Sequence, residues 1–209
     1  MELEQQKAQK ILRPTAVNIK KAASVMRSGG LVIFPTDTVY GIGCDAFNVN
    51  AVKKIFLAKK RKENKALPIL IANIKQLEIL VKEIPPLAKE LIKKYWPGQL
   101  TIVFYKNKKV SSEVTANSDK VAVRWPKNRI ATDLIKELQL PIIGTSANLS
   151  GQNSILTVND IPESLLDSVD LILDGGTLKS FGVSSTIIDV TSNPPQILRE
   201  GAVNLKDEI

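Results

Sequence analysis

Short apolar runs alternate with amphipathic stretches along most of this chain, and that alternation constrains its fold more than any other feature. The runs "LVIFP", "LPILIA", "QLTIVFYK", "KVAVRW" and "PIIGTS" have strand length and are rich in β-branched residues. Stretches of helical period lie between them. "TAVNIKKAASVMRSGG" puts Val17, Ala22, Val25 and Met26 near one face, with Thr15 as N-cap and Gly29-Gly30 as the stop. "AVKKIFLAKK" carries a Val52, Ile55 and Phe56 stripe behind Asn50 as a cap. "IKQLEILVKEI", "PPLAKELIKKYW", "RIATDLIKEL" and the short "SLLDSV" are further helices, and "LILDGG", "SSTIIDV" and "PQILREG" are strand-like. This order predicts an α/β fold with one twisted mixed sheet and flanking helices. Residues 1–14 are polar, end at Pro14 and read as an N-terminal arm; residues 15–209 read as a single domain without repeats or linkers.

Composition narrows the chemistry. The chain has no histidine and one cysteine, Cys44, so Ser-His-Asp and Cys-His arrangements, His-based zinc sites and Cys₄ clusters are excluded. Catalysis must run on Lys, Arg, Ser, Thr, Asn, Asp, Tyr, backbone amides or a metal held by oxygens. Lys and Arg number 29 against 21 Asp and Glu, a surplus of 8. Such a surplus fits anionic partners (nucleotides, phosphates, RNA) or simply a solvated lysine-rich surface. No apolar run approaches the roughly 20 residues of a membrane helix. "MELEQQKAQK" lacks the apolar core of a secretory signal, so a cytoplasmic protein is expected.

Several motifs carry more polar groups than loops need. "PTDTVYGIGCDA" crowds Thr36, Asp37, Thr38 and Tyr40 after a core strand. Its "GIGCDA" matches G-x-G-x-x-A, but "PTDTVY" intervenes and the helix is expected to begin only near Asn50, so the glycines are expected to serve a tight turn and close ligand approach. "KKRK" at 59–62 is either a cationic cap on a helix end or a phosphate clamp. If the helix stops near Ala58, an extended chain would turn Lys59 and Arg61 the same way. "PIIGTSANLSG" runs a strand into Thr145, Ser146 and Asn148, which read equally as a turn or as a site at a strand end. Arg124, inside an apolar strand, needs an anion from protein or ligand, and Arg199 poses the same question. Ser184 and Ser185 stand at the entrance to a strand.

Taken in series, "GGLVIFPTDTVYGIGCDA", "AKKR", "YWPGQLTIVF", "VAVRWP", "GTSANLSG", "SSTIID" and "ILREG" resemble the YrdC family, the threonylcarbamoyl-AMP synthases, from about Ala16 to Gly201. The resemblance implies a YrdC-like fold with a concave, positively charged groove. It implies formation of threonylcarbamoyl-AMP and pyrophosphate from L-threonine, bicarbonate or CO₂, and ATP. A separate transferase would then use the product to modify adenosine 37 of tRNA. The family's Lys-Arg-Ser-Asn tetrad falls on Lys59, Arg61, Ser146 and Asn148, as catalytic and ATP-binding residues, and a further nucleotide contact falls on Arg199. The threonine-binding positions fall on Thr36, Arg124, Thr145 and Ser185, with Arg124 pairing the carboxylate. Mg²⁺ is expected on the ATP phosphates, with no metal site in the protein itself. Two positions depart from the pattern: Lys62 stands where relatives often carry proline, and Ala72 or a neighbour where many carry histidine. The chain ends eight residues after Gly201, which resembles the short, single-domain form.

The implied chemistry suits the composition. N-carboxy-threonine is already anionic and needs no general base to attack a phosphate, and pyrophosphate needs no general acid if cations hold it. The competing expectations are a paralogue of different activity and a non-catalytic RNA-binding module. The latter has the basic balance but only 5% aromatic residues for base stacking.

Overall fold

The computed structural model describes residues 9–180, 182–206 and 208. Strand β1 (Ile11–Leu12), helix α1 (Ala16–Arg27), β2 (Val32–Pro35), β3 (Tyr40–Gly43) and α2 (Val49–Ala58) come first. Then follow β4 (Ile69–Leu70), α3 (Ile74–Glu78), α4 (Pro86–Tyr95), β5 (Leu100–Tyr105), α5 (Ser112–Thr115) and β6 (Lys120–Arg124). Helix α6 (Arg129–Leu138), β7 (Ile142–Ile143), β8 (Thr145–Ser146) and a 3₁₀ turn (Val158–Asp160) lead to α7 (Glu163–Ser168). Strands β9 (Leu171–Leu173), β10 (Thr186–Asp189) and β11 (Gln196–Arg199) close the series.

The expected single sheet is in fact two mixed sheets. One has the order β1-β9-β2-β3-β8 and the other β11-β10-β5-β6-β4-β7. The reason lies in "PIIGTS", which looks like one strand but serves both. Ile142–Ile143 pair antiparallel with β4, and Thr145–Ser146 pair antiparallel with β3. Gly144 sits at the crossing, where a Cβ would lie 2.3 Å from Leu70 Cδ1. Opposite it, a Cβ on Gly43 would lie 2.0 Å from the Ile143 carbonyl oxygen. The "GIG" glycines therefore belong to a strand, not to the expected turn, and Gly43 admits a neighbouring backbone rather than a ligand.

Helix α1 starts as expected: Thr15 Oγ1 accepts the Asn18 N–H at 3.3 Å. It ends at Gly29, whose φ of +77° is open to glycine at little cost. Helix α2 is capped by Asn48, which accepts the Ala51 N–H at 3.1 Å, rather than by Asn50. The expected helix over "IKQLEILVKEI" stops at Glu78, and Val81 bridges to Lys106 instead. Part of the stretch read as an arm, Ile11–Leu12, pairs in parallel with β9; its residues 1–8 lie outside the described residues.

The two sheets share one apolar core. Ile33, Ile42 and Cys44 meet Ile69, Ile102, Phe104 and Val123, roofed by Ile55 and Phe56 of α2. At about 1.5–3 kcal/mol per fully buried large apolar side chain, this core fixes how the sheets face each other. A second cluster packs Ala22, Ala23 and Met26 of α1 on Leu134, Ile135 and Leu138 of α6. Burial pushes the Cys44 thiol up, which makes it an inert core residue. Among the described residues no helix is long and apolar enough to cross a membrane.

Candidate active site

Between the sheets lies a cavity of about 420 Å³. Its floor is the face of β5, β6 and β10 that carries Thr101, Val103, Ala122, Arg124, Ser185 and Ile187 at alternate positions. Thr36, Thr38 and Gly41 contribute from the other sheet, and Arg61, Thr145 and Ser146 from its side. Of the residues singled out in the sequence, Thr36, Arg61, Arg124, Thr145, Ser146, Ser184, Ser185 and Arg199 line this one space. Lys59 and Asn148 do not line it; they stand behind Ser146.

Helix α2 does stop at Ala58, but the chain beyond is not extended as expected. Lys59 keeps helical angles and Lys60 takes φ +49°. Lys60 N–H bonds to Leu57 O at 3.1 Å and Arg61 N–H to Phe56 O at 2.9 Å, a Schellman end with lysine in glycine's usual place. That left-handed residue costs roughly 1–2 kcal/mol and separates the two cations. Arg61 turns to the cavity, with its Nη2 donating to Ala66 O at 2.9 Å. Lys59 turns inward and is only 1% exposed. Its Nζ donates to the carbonyl oxygen of Ser146, to that of Asn148 at 2.5 Å and to Asn148 Oδ1 at 3.4 Å. Ser150 N–H returns a bond to Lys59 O at 3.1 Å. Ser146 Oγ donates to Asn148 Oδ1 at 2.5 Å. Lysine, serine and asparagine thus form a latch that holds the 146–150 turn against the helix end. Burial, then the Arg61 charge, pulls the Lys59 ammonium down to about 7.

The stretch "PTDTVY" holds itself and Arg124. Thr36 Oγ1 accepts the N–H groups of Thr38 (3.1 Å) and Val39 (3.2 Å), meets Thr38 Oγ1 at 3.0 Å, and donates to Val39 O at 2.7 Å. Its single proton is committed. Tyr40 reaches across to Gly176 O at 2.8 Å and accepts the Gly175 N–H at 2.9 Å, which ties β3 to that turn. Arg124 has its anion within the protein: Nη2 donates to Asp37 Oδ1 at 2.6 Å. Nη1 donates to Thr38 Oγ1 at 2.9 Å and Nε to Gly98 O at 2.9 Å. The side chains of the pair are 8% and 11% exposed. Asp37 Oδ2 is buried without a hydrogen-bond partner. Each terminal nitrogen of Arg124 keeps one further N–H.

Just ahead of β10, Ser185 is the meeting point of three strands. Arg199 Nε and Nη2 donate to Ser185 O at 3.0 and 2.7 Å, and Ser185 Oγ meets Thr101 Oγ1 at 2.8 Å. At the other end of the floor, Lys120 Nζ donates to Asp189 Oδ2 at 2.8 Å. Burial would raise the Asp189 carboxyl, but bonds from Lys120 and Thr191 outweigh it and hold it below its ordinary value. Sequence reasoning did not assign Asp37, Thr38, Thr101, Lys120 or Asp189. Asp37 had a signal, a carboxylate in a conspicuously polar stretch; Lys120 and Asp189 had only strand alternation, which marks a face without naming it.

Among the described residues no group of three or more His, Cys, Asp or Glu stands together.

Comparison with known proteins places this geometry. A family model described as "Telomere recombination" (Sua5, YciO and YrdC) matches residues 24–201. The chain is 45% identical over 189 residues to a threonylcarbamoyl-AMP synthase of Pyrococcus abyssi, covering 90% of this chain and 55% of that protein. The chain thus spans about half the length of that relative. Its structure resembles P. abyssi Sua5 complexed with L-threonine (TM-score 0.89, 44% identity, 94% of this chain and 58% of that one). It also resembles E. coli YciO (TM-score 0.84, 26% identity, 95% and 98% covered). With the two sheets, the cavity and the motif residues all in place, the chain belongs to the Sua5/YciO/YrdC family.

Proposed function

We propose that this chain joins L-threonine, bicarbonate or CO₂, and ATP into threonylcarbamoyl-AMP, releasing pyrophosphate. The observation that carries this reading is the convergence of Arg61, Arg124 and Arg199 with the hydroxyls of Thr145, Ser146 and Ser185 on one cavity. The 45% identity to a threonylcarbamoyl-AMP synthase supports it, as does the likeness to a structure with L-threonine bound.

The chemistry needs an anionic nucleophile, an α-phosphate and a held leaving group. The unprotonated amine of threonine adds to bicarbonate with loss of water, or to CO₂ with release of a proton to solvent, to give anionic N-carboxy-threonine. A carbamate oxygen attacks the α-phosphorus, the bond to the bridging oxygen of pyrophosphate breaks, and that oxygen leaves with the electron pair. Arg61 and the Lys59-latched turn neutralise the phosphates, with Ser146 orienting them. Arg124 offers its two uncommitted N–H groups to the threonine carboxylate while Asp37 keeps it in place. Thr145 and Ser185 receive the rest of the amino acid, and Thr36, its hydroxyl already engaged, shapes the wall. Arg199 contacts the nucleotide, and Mg²⁺ arrives on the ATP phosphates. The product would serve a separate transferase acting on adenosine 37 of tRNA.

The test is an incubation with ATP, L-threonine and labelled bicarbonate, omitting each in turn. The expected result is pyrophosphate and a labelled adenylate only with all three. Pyrophosphate release without threonine, or none with all three, would overturn the reading. Arg61→Ala should lower kcat/KM by about 2–4 kcal/mol of transition-state stabilisation, the size of a lost preorganised donor.

A further inference from the structure

We propose that Gln99 is a positioning residue for the amino-acid end of the cavity: its side-chain amide sets the pose of the turn between β2 and β3 and, through Asp37, the aim of Arg124. This rests on the assignment of Arg124 to the threonine carboxylate and adds what holds that arginine ready.

The turn is rigid within itself. Thr36 Oγ1 accepts the Thr38 and Val39 N–H groups and donates to Val39 O. A segment tied up in this way moves as one piece, so bonds from outside decide where it stands over the floor. Among the described residues, three side chains from elsewhere hydrogen-bond to residues 36–38: Arg124, Ser180 and Gln99. Arg124 itself lines the cavity. Ser180 lies in the connection between β9 and β10, outside any strand or helix. Gln99 immediately precedes β5, in the sheet that forms the floor, and does not line the cavity. Its Nε2 donates to Asp37 O at 2.7 Å. A carbonyl oxygen only accepts, so this brace between the two sheets needs the amide N–H; a carboxylate in its place would set two acceptors against each other.

Gly98 and Gln99 together grip both members of the ion pair. Gly98 O accepts Arg124 Nε at 2.9 Å, and Gly98 N–H bonds to Trp125 O at 2.8 Å. Gln99 holds Asp37 by its carbonyl, while Asp37 Oδ1 accepts Arg124 Nη2 at 2.6 Å. Gln99 O also accepts the Thr186 N–H at 3.1 Å, beside Ser185. The dipeptide is itself pinned. A Cβ on Gly98 would lie 2.3 Å from Tyr95 O, and Trp96 Nε1 donates to Leu100 O at 2.7 Å. Arg124, Asp37 and Ser185 are thus all referred to one short segment. Arg61, at the phosphate end, rests on Ala66 O instead. Releasing the brace therefore misplaces the two free N–H groups of Arg124, which a planar carboxylate needs in a fixed geometry, and leaves the phosphate contacts alone.

Pyrophosphate release by the full chain tests this, with L-threonine varied at saturating ATP and then the reverse. Gln99→Met keeps the side-chain length and removes the donor. It should raise KM for L-threonine about fivefold, the scale of one hydrogen bond, with KM for ATP within about twofold of the unaltered protein and kcat little changed. Gln99→Glu, equal in shape but unable to donate when ionised, should do the same, and it keeps the test open if methionine disturbs folding. An unchanged threonine KM in both variants overturns the proposal. So does an equal rise for both substrates, or a fall in kcat alone, because either marks a purely structural role. Each of these leaves the synthase reading standing. No turnover by the unaltered protein with all three substrates overturns both.

Discussion

Two buried cations decide most at the scale of single residues. Arg124 is neutralised by Asp37, and removing one partner of such a pair leaves the other charge buried. Asp37→Asn is expected to lower the unfolding free energy by about 3 kcal/mol, and Asp37→Asn with Arg124→Met by less than the sum of the singles. Urea unfolding of the four proteins in a double-mutant cycle measures this. Lys59 is the second. Burial pulls its ammonium down to about 7, so as pH rises through that value it gives up its charge and one of its three donated bonds. An anionic triphosphate nearby favours the charged form and raises that value. ATP binding at pH 8 should therefore take up protons, seen as calorimetric heats that change with the ionisation enthalpy of the buffer. Lys59→Arg, which cannot titrate in this range, should remove the uptake. The sequence made both residues conspicuous but not their partners. Burial of Arg124 could be read from "VAVRW", whereas Asp37 and Lys59's carbonyl ligands come from segments 87 positions or more away.

At the scale of elements, α/β alternation was legible because each amphipathic stretch has its own period and stop signal. Thr15 and Gly29 bracket α1 where the local rules place them. The second sheet was not legible. "PIIGTS" has the pattern of a single strand, and only tertiary pairing divides it between β4 and β3 at Gly144. The same crossing explains Gly43, whose neighbour is backbone, while Gly144 faces the buried Leu70 side chain, whose Cγ a Cβ would approach to 2.4 Å. Both alanines should lower Tm, Gly43→Ala more than Gly144→Ala, since overpacking a core side chain costs about 1–3 kcal/mol through off-rotamer shifts and a paired backbone carbonyl cannot yield as readily. Thermal melts of the two variants compare them directly. The Lys59–Arg61 geometry follows a similar lesson. Nothing in "AKKRK" announces a left-handed lysine, yet that residue sends one cation into the cavity and the other beneath the 146–150 turn.

For the molecule as a whole, the two sheets enclose a cavity whose basic side chains, Arg61, Arg124, Arg199 and Lys120, face, among the described residues, a single carboxylate, Asp189, that is itself paired. As the proposed synthase, the chain would bring an already anionic carbamate to the α-phosphorus of ATP without a proton shuttle. That route has an isotopic signature. With ¹⁸O-labelled bicarbonate, a carbamate oxygen becomes the bridge between carbon and the α-phosphorus, so the ³¹P resonance of the adenylate should carry the upfield shift of a P–¹⁸O bond, with unlabelled pyrophosphate beside it. An adenylate without that shift, or ADP with the label in orthophosphate from attack at the γ-phosphorus, would contradict the account.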